Sequence, residues 1–87
     1  MSRLRLRREG LHWVEADGEV LALDDRSMQY LSANPVGALI WRALAEGTTR
    51  NELVGRLVEE FDVDEPTAAK DVDAFVAELS KLDLLDA

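Results

Sequence analysis

The chain has 87 residues, 47% of them hydrophobic and 32% charged, which suffices for one small domain spanning residues 1–87 but not for a deep substrate cavity as well. It contains no cysteine, so the composition excludes disulfides and thiolate metal sites and favours the cytosol. Its formal net charge of −8 argues against binding to nucleic acid or to an anionic membrane, because both attract basic proteins.

The first eight residues form a basic arm. They contain four arginines and no acidic residue, whereas residues 9–87 contain six basic and 18 acidic residues and carry a formal charge of −12. Leucine and arginine alternate from Arg3 to Arg7, which predicts an extra strand whose arginines protect an outer edge of the sheet. A disordered arm is the alternative. The arm lacks the apolar core of a secretory signal, and no apolar run is long enough to span a membrane.

Two predicted strands and a tight turn follow the arm. Residues 11–16 form the first strand, and Asp17-Gly18 predicts a short hairpin, because glycine accepts the positive φ of such a turn. Residues 19–24 form the second strand. The consecutive apolar residues 20–23 within it indicate a central strand that is shielded on both faces more than its neighbours are.

The third predicted strand, residues 27–32, follows a turn at residues 24–26. Strands that are adjacent in sequence and joined by short turns usually pair, so the three form an antiparallel meander with the third strand at an edge. This strand contains no charge, proline or glycine, the residues that normally protect an exposed sheet edge. The sequence therefore predicts an edge that is open to another chain.

The first of three predicted helices begins at Pro35, with Asn34 as its N-cap, and ends at about Ala45, before Gly47. Gly37 lies inside this helix, where glycine is unfavourable by propensity. We interpret Gly37 as a position at which another backbone comes close to the helix.

The second helix begins at a capping box formed by Thr49 and Glu52. The third begins after Asp64, contains Pro66 in its first turn and ends near Leu82. Its apolar residues recur at helical spacing and form one continuous face. The predicted fold class is therefore α+β, a three-stranded antiparallel sheet followed by three helices, which resembles a winged helix-turn-helix.

An enzyme needs a nucleophile, a base or a metal site, and the sequence offers none that is convincing. His12 is the only histidine, it lies on a predicted strand, and no cysteine can pair with it. Asp62, Asp64 and Glu65 are close in sequence but lack the glycine and the spacing of a calcium loop. Other carboxylates lie at turns, helix starts and polar faces, where capping explains them. We predict no catalysis, no metal and no cofactor.

Nucleic-acid binding is the alternative that a winged-helix arrangement raises. The third helix would then read the bases, and it would need positive charge to do so. It carries only Lys70 and Lys81, against Asp71, Asp73 and Glu78. Phosphates would be repelled by this helix, so we predict no binding to nucleic acid.

Peptide binding uses the features that the sequence does contain. An extended peptide can add to the open third strand, while the third helix forms the opposite wall of a groove. Only alternate strand residues share a face, so either Met28 and Tyr30 or Gln29 and Leu31 contact peptide side chains. The alternative is that a second copy covers the edge and that the helix residues are core. The predicted peptide-binding residues are Ser27, Met28, Gln29, Tyr30, Leu31 and Ser32 on the strand and Asp71, Val72, Phe75, Glu78 and Leu79 on the helix.

The order of these features resembles the PqqD-like family, the leader-recognition elements of ribosomally made, post-translationally modified peptides. The resemblance covers residues 11–85. Its most specific part is the segment NPVGALIW at residues 34–41. Asp24, the strand that contains Tyr30 and the segment TRNEL at residues 49–53 also match.

The resemblance implies that a leader peptide adds as a further strand beside the third strand and against the third helix. It also implies a non-catalytic adaptor that presents the precursor to a separate leader peptidase, a transglutaminase-like cysteine protease, while an ATP-dependent cyclase acts on the core peptide. The Val36-Gly37-Ala38 version of the motif is most similar to stand-alone leader-binding proteins of lasso-peptide biosynthesis. The alternative is a peptide chaperone for a radical SAM enzyme in quinone-cofactor synthesis. Ala33 departs from the family, which commonly has leucine there.

Overall fold

The computed structural model describes residues 3–86. Met1 and Ser2 of the predicted basic arm, and Ala87 of the predicted single domain, lie outside the described residues. The predicted α+β fold class is confirmed, because an antiparallel sheet of three strands is followed by three helices. The elements in chain order are β1 (Arg5–Leu6), β2 (Leu11–Ala16), β3 (Glu19–Asp24), β4 (Gln29–Ala33), α1 (Pro35–Glu46), α2 (Arg50–Phe61), α3 (Glu65–Lys81) and β5 (Leu85–Asp86).

The central sheet has the strand order β2-β3-β4, and both pairs are antiparallel. Asp17 (φ 54°) and Gly18 (φ 77°) join β2 to β3, and their positive φ angles are those of the predicted primed turn. The turn sets the register in which β2 and β3 pair. β4 lies at an edge of the sheet, as predicted.

β3 is the central strand, but only one of its faces is covered. Val20 and Ala22 are each 2% exposed, whereas Leu21 between them is 53% exposed. On that second face Leu21 is still less exposed than Val14 of β2 (61%) and Tyr30 of β4 (72%), so the prediction that the central strand is shielded more than its neighbours is confirmed. The helices cover one face of the sheet, so the consecutive apolar residues of β3 alternate between the core and solvent.

β4 begins at Gln29, two residues later than predicted, and ends one residue later, at Ala33. Ser27 and Met28 belong to the preceding turn. The Ser27 hydroxyl donates a hydrogen bond to Oδ2 of Asp24 at 3.1 Å, and Met28 has a left-handed backbone with φ 57°. The turn is longer than the sequence pattern indicates because Asp24 binds Ser27 before the chain becomes extended.

The basic arm does not join the central sheet. β1 pairs with β5 in a separate two-stranded antiparallel ribbon, and Leu4 exchanges backbone hydrogen bonds with Thr48, after α1. Leu6 is buried in the core, and β1 packs against α1. The expectation that the arm protects an edge of the central sheet is therefore wrong, and within residues 3–86 both edges of that sheet are unpaired.

Arg7 links the arm to the central sheet through a buried ion pair. Its Nη2 lies 2.5 Å from Oδ1 of Asp24, and the two side chains are 11% and 6% exposed. Asp24 also accepts hydrogen bonds from the Arg26 N–H and the Ser27 hydroxyl. Burial raises the pKa of Asp24, but these hydrogen bonds and the Arg7 charge outweigh it, so the pKa lies below its ordinary value of 3.8. Arg7 also donates to the Asp83 carbonyl at 2.7 Å and thereby reaches the segment after α3.

The helices begin at the predicted caps. The Asn34 side chain accepts a hydrogen bond from the Gly37 N–H at 2.9 Å, and Thr49 and Glu52 form the capping box. α3 packs chiefly against α2 and less against α1, which leaves space between α3 and the edge strand. No helix within residues 3–86 combines the length and the apolarity needed to cross a membrane. The largest fully buried side chains are Trp41, Ile40, Leu44, Leu53, Leu57, Leu84, Val20 and Val72.

Candidate functional site

A cleft with two adjoining cavities separates the free edge of β4 from α3. The smaller cavity, of about 90 Å³, lies between the sheet and α3. The larger, of about 390 Å³, lies between the start of α1 and α3. Phe75 and Glu78 line both cavities and so mark the boundary between them. A peptide lying extended along β4 would pass both cavities.

The register of the sheet decides which β4 side chains face the cleft. Leu31 pairs with the buried Ala22 of β3, and both residues line the smaller cavity. Tyr30 lies on the opposite face of the sheet, where it is 72% exposed. Of the two alternating sets that the sequence leaves open, the structure therefore places Gln29 and Leu31 on the side of the cleft.

The backbone hydrogen bonds alternate in direction along β3. In a two-residue hairpin the residues that flank the turn, here Ala16 and Glu19, exchange hydrogen bonds, and every second residue after them points the same way. The Asp25 N–H, which donates to the Gly10 carbonyl at 2.8 Å, continues this alternation. The odd-numbered residues of β3 therefore direct their N–H and C=O groups to β2, and the even-numbered residues direct theirs to β4.

The same alternation identifies the free backbone groups of β4. Its odd-numbered residues pair with the even-numbered residues of β3 and make the hydrogen bonds between these two strands. The N–H and C=O groups of Tyr30 and Ser32 consequently point away from β3, at the open edge. No strand in the described part of the chain pairs with them. β4 thus presents a row of unpaired donors and acceptors beside the cleft.

α3 supplies the opposite wall of the cleft. Phe75 and Leu79 line the smaller cavity with apolar side chains, and Asp71 and Glu78 are exposed carboxylates that line the larger one. Val72 is fully buried and lines neither of these two cavities, so it belongs to the core. The structure thus gathers at the cleft these residues of the predicted set: Leu31, Ser32, Asp71, Phe75, Glu78 and Leu79.

Trp41 is a cleft residue that the sequence analysis did not assign to the site. It lines the smaller cavity and packs edge-to-face on Trp13, with ring centroids 6.1 Å apart. Its Nε1–H is buried and has no hydrogen-bond acceptor within residues 3–86. Trp41 ends the NPVGALIW segment, and Asn34 and Val36 of that segment line the larger cavity. The motif that carries the family resemblance therefore also builds the cleft, which is the signal that could have identified these residues.

Gly37 allows a close approach to α1, but the group that approaches is a side chain. A Cβ atom at Gly37 would lie 2.9 Å from Cε1 of Phe75 and 3.0 Å from Cβ of Ala33. Both distances are shorter than carbon atoms adopt in ordinary contact. The interpretation of Gly37 as a point of backbone approach is therefore wrong, because Gly37 instead admits the ring that separates the two cavities.

The one histidine of the chain does not lie at the cleft. His12 lies on the outer face of β2, where its Nε2 is 3.0 Å from Oδ2 of Asp25. Within residues 3–86 no three histidine, cysteine or carboxylate side chains come together as metal ligands would. The cleft instead combines free backbone groups, an apolar floor and exposed carboxylates. These features suit the binding of an extended peptide, whose backbone can pair with β4 while alternate side chains enter the cavities.

Comparisons with known proteins agree with this geometry. The sequence profile of the family described as "Coenzyme PQQ synthesis protein D (PqqD)" matches residues 19–85. The structure of TbiB1 in complex with the TbiA(beta) leader peptide is 29% identical, with a TM-score of 0.85, and the match covers 95% of each chain. The structure of a lasso peptide synthetase B1 complexed with the leader peptide is 27% identical, with a TM-score of 0.82, and covers 97% of this chain and 98% of that one. A search of curated proteins finds no match.

Proposed function

The chain belongs to the PqqD family, and from this premise we propose that it is a non-catalytic adaptor in lasso-peptide maturation. It binds the leader segment of a ribosomally made precursor peptide and presents it to a separate leader peptidase in the cytosol. The observation that carries the proposal is the free edge of β4 beside an apolar cleft. The two similar structures, 29% and 27% identical to this chain, are both complexes with a leader peptide.

In this proposal the leader adds to the central sheet as a further strand. The free N–H and C=O groups of Tyr30 and Ser32 pair with the leader backbone, which supplies affinity that depends little on sequence. Leader side chains on the helix side enter the two cavities, and this supplies selectivity. Val72 supports the helix wall from the core, and Ser27 and Met28 precede the paired segment. The proposed contact residues are Gln29, Tyr30, Leu31, Ser32, Trp41, Asp71, Phe75, Glu78 and Leu79.

The chemical steps belong to partner enzymes. A transglutaminase-like cysteine protease removes the leader, and an ATP-dependent cyclase closes the core peptide. Two observations support a non-catalytic role for this chain: it has no cysteine, and His12 lies on the sheet face that is opposite the cleft.

A second candidate is a peptide chaperone for a radical SAM enzyme in quinone-cofactor synthesis, which the description of the matching family profile favours. Both candidates bind a leader in the same cleft and differ in the enzyme that receives it. Whole-chain similarity to two structures of leader complexes, one of them a lasso peptide synthetase B1, favours the lasso role. The exposed carboxylates of α3 argue against the third candidate, duplex DNA binding.

Titration with a synthetic leader tests the proposal. The probe is a synthetic peptide with the sequence of the natural leader, and we expect a Kd between micromolar and nanomolar, roughly −8 to −12 kcal/mol. Amide chemical shifts should change most at β4 and at the α3 residues of the cleft. Adding the chain to purified peptidase and precursor should accelerate leader removal. Shift changes confined to other surfaces, or no binding by this leader, would contradict the proposal.

The substitution Gly37→Ala is expected to obstruct the cleft. The new methyl group displaces the Phe75 ring, which is partly exposed and so can move. We expect leader affinity to fall about five-fold, or about 1 kcal/mol. The thermal midpoint should change little, because a gain in helix propensity of about 1 kcal/mol offsets the steric cost. Calorimetric titration and thermal unfolding measure the two effects separately.

Gly55→Ala is the matched control, since it makes the same substitution inside α2 with no atom within 4 Å of the new Cβ. We expect leader affinity to be unchanged and the free energy of unfolding to rise by about 1 kcal/mol. Equal leader affinities for the two variants would mean that the Phe75 ring does not bound the peptide site.

A further inference from the structure

The two sides of the cleft differ in charge. On the side of β4 and α1, the lining residues are uncharged, whereas α3 contributes two carboxylates, Asp71 and Glu78. They are seven residues apart, which places them on one face of α3, about two turns or 10 Å apart along its axis. Ala74 and Phe75 lie between them on the same face. The peptide groove proposed above therefore has an acidic rim along one wall only.

Neither rim carboxylate is engaged by the protein itself. In the described part of the chain, Asp71 and Glu78 form no ion pair within 4.0 Å and accept no hydrogen bond, although Lys81 is only three residues from Glu78. Other carboxylates are paired with arginine: Asp24 with Arg7, Glu15 with Arg42, and Asp73 with Arg50. Asp73, two residues from Asp71, is held by two hydrogen bonds from Arg50, at 2.6 and 2.9 Å. The carboxylates that border the groove thus remain available to a ligand.

The smaller cavity sets the size of an apolar anchor next to this rim. Its volume is about 90 Å³, less than the roughly 150 Å³ of a cavity that admits a benzene ring. Leu31, Leu79 and Trp41 give it an apolar lining, and Glu78 stands at its boundary with the larger cavity. An aliphatic side chain fits this space better than an aromatic one.

We infer that the leader segments selected by this chain combine an aliphatic anchor with a lysine or arginine on the same strand face. This inference rests on the proposed function and adds to it the chemical class of the ligand. Residues on one face of an extended strand are two or four positions apart, so the basic residue lies two or four positions from the anchor. It pairs with Asp71 or Glu78 while the anchor fills the smaller cavity. Charge complementarity of this kind contributes chiefly to specificity and to the association rate.

The inference can be tested by selecting peptides from a random library. The library contains 12-residue peptides, each displayed on its messenger RNA, and the selection does not require the sequence of the natural leader. The targets are the unmodified chain, the double variant Asp71→Asn/Glu78→Gln, and the control Glu59→Gln/Glu60→Gln. The control changes the net charge equally at two exposed positions of α2 that line neither cavity. Circular dichroism melts check that all three are folded.

We expect the unmodified chain and the control to enrich peptides with an aliphatic residue and a basic residue at a fixed spacing of two or four. The double variant should retain the aliphatic preference while lysine and arginine return to their library frequency. Replacing the basic residue of a selected peptide by norleucine should weaken its binding to the unmodified chain about three-fold or more. That loss should diminish as salt is raised, because salt screens exposed charges.

The outcomes separate this inference from the proposed function. The inference is overturned if the unmodified chain enriches aliphatic residues but no basic residue. It is also overturned if the double variant enriches lysine and arginine as strongly as the unmodified chain does. Either result leaves leader binding intact. No enriched peptide at all, or selected peptides that a Tyr30→Pro variant binds as tightly as the unmodified chain does, overturns both. If the double variant fails to fold, the norleucine peptide decides, because it is measured on the unmodified chain.

Discussion

Tyr30→Pro is expected to weaken leader binding about 10- to 100-fold while the protein remains folded. Proline removes the N–H of Tyr30, which points at the free edge of β4 and makes no hydrogen bond to β3. The leader carbonyl that this N–H would bind is then left without a donor, and burying it costs about 1–3 kcal/mol. An edge strand tolerates proline on the side that faces away from the sheet. Calorimetric titration with the leader measures the loss.

Two neighbouring substitutions show whether the loss arises from the backbone. Tyr30→Ala removes the same side chain, which is 72% exposed on the outer face, but keeps the N–H, so we expect leader affinity close to that of the unmodified chain. Leu31→Pro removes an N–H that donates to β3, and we expect it to destabilise the sheet. If Tyr30→Pro binds the leader as tightly as the unmodified chain does, strand addition at β4 is wrong.

Asp24→Ala is expected to reduce the free energy of unfolding by about 3 kcal/mol, because it leaves the Arg7 guanidinium nearly buried and without its partner. The substitution also frees the Arg26 N–H and the Ser27 hydroxyl, which hold the turn before β4. For a domain of this size the thermal midpoint should fall by about 15 °C. Asp73→Ala, which breaks an exposed arginine pair, should shift the midpoint far less. Equal shifts for the two variants would mean that burial of the Arg7–Asp24 pair contributes nothing.

The stability that the Arg7–Asp24 pair contributes should decrease at acid pH. The pKa of Asp24 is lower in the folded chain than its ordinary value of 3.8, so its ionised form stabilises the fold above about pH 4, and this contribution is lost as the pH falls through the folded-state pKa. Hydrogen bonds from Thr67 and from Arg50 lower the pKa values of Asp64 and Asp73 in the same direction. Thermal melts between pH 7 and pH 3 should therefore show a smaller loss of stability for Asp24→Ala than for the unmodified chain.

Local sequence signals predicted the features that depend on local backbone chemistry. Asp17-Gly18 forms the tight hairpin, Asn34 and Thr49 cap their helices, and β4 lies at the sheet edge. Each of these follows from residues that are close in sequence, and the absence of charge, proline and glycine between Ser27 and Ser32 was enough to mark the edge as a candidate site.

Features that depend on long-range packing could not be predicted from local sequence signals. The pairing of Arg7 with Asp24 joins the arm to the end of β3, 17 residues away, and an alternating leucine–arginine pattern gives no sign of it. Which face of β4 meets the cleft depends on which face of the sheet the helices cover. Met28 adopts a left-handed backbone because the Asp24 turn extends to it, although methionine has no preference for that conformation.

Along β4, neighbouring residues direct their backbone groups to opposite sides. The N–H and C=O groups of Tyr30 and Ser32 point to the open edge, where the proposed leader would pair, while Leu31 and Ala33 line the smaller cavity and use their N–H and C=O groups to pair with β3. If the proposed function holds, exchanging the side chain of Leu31 should change which peptides bind without disturbing the backbone hydrogen bonds made by Tyr30 and Ser32. In such a fold, single substitutions of cavity-lining residues should change peptide selectivity while the backbone pairing is kept, both in evolution and in engineered variants.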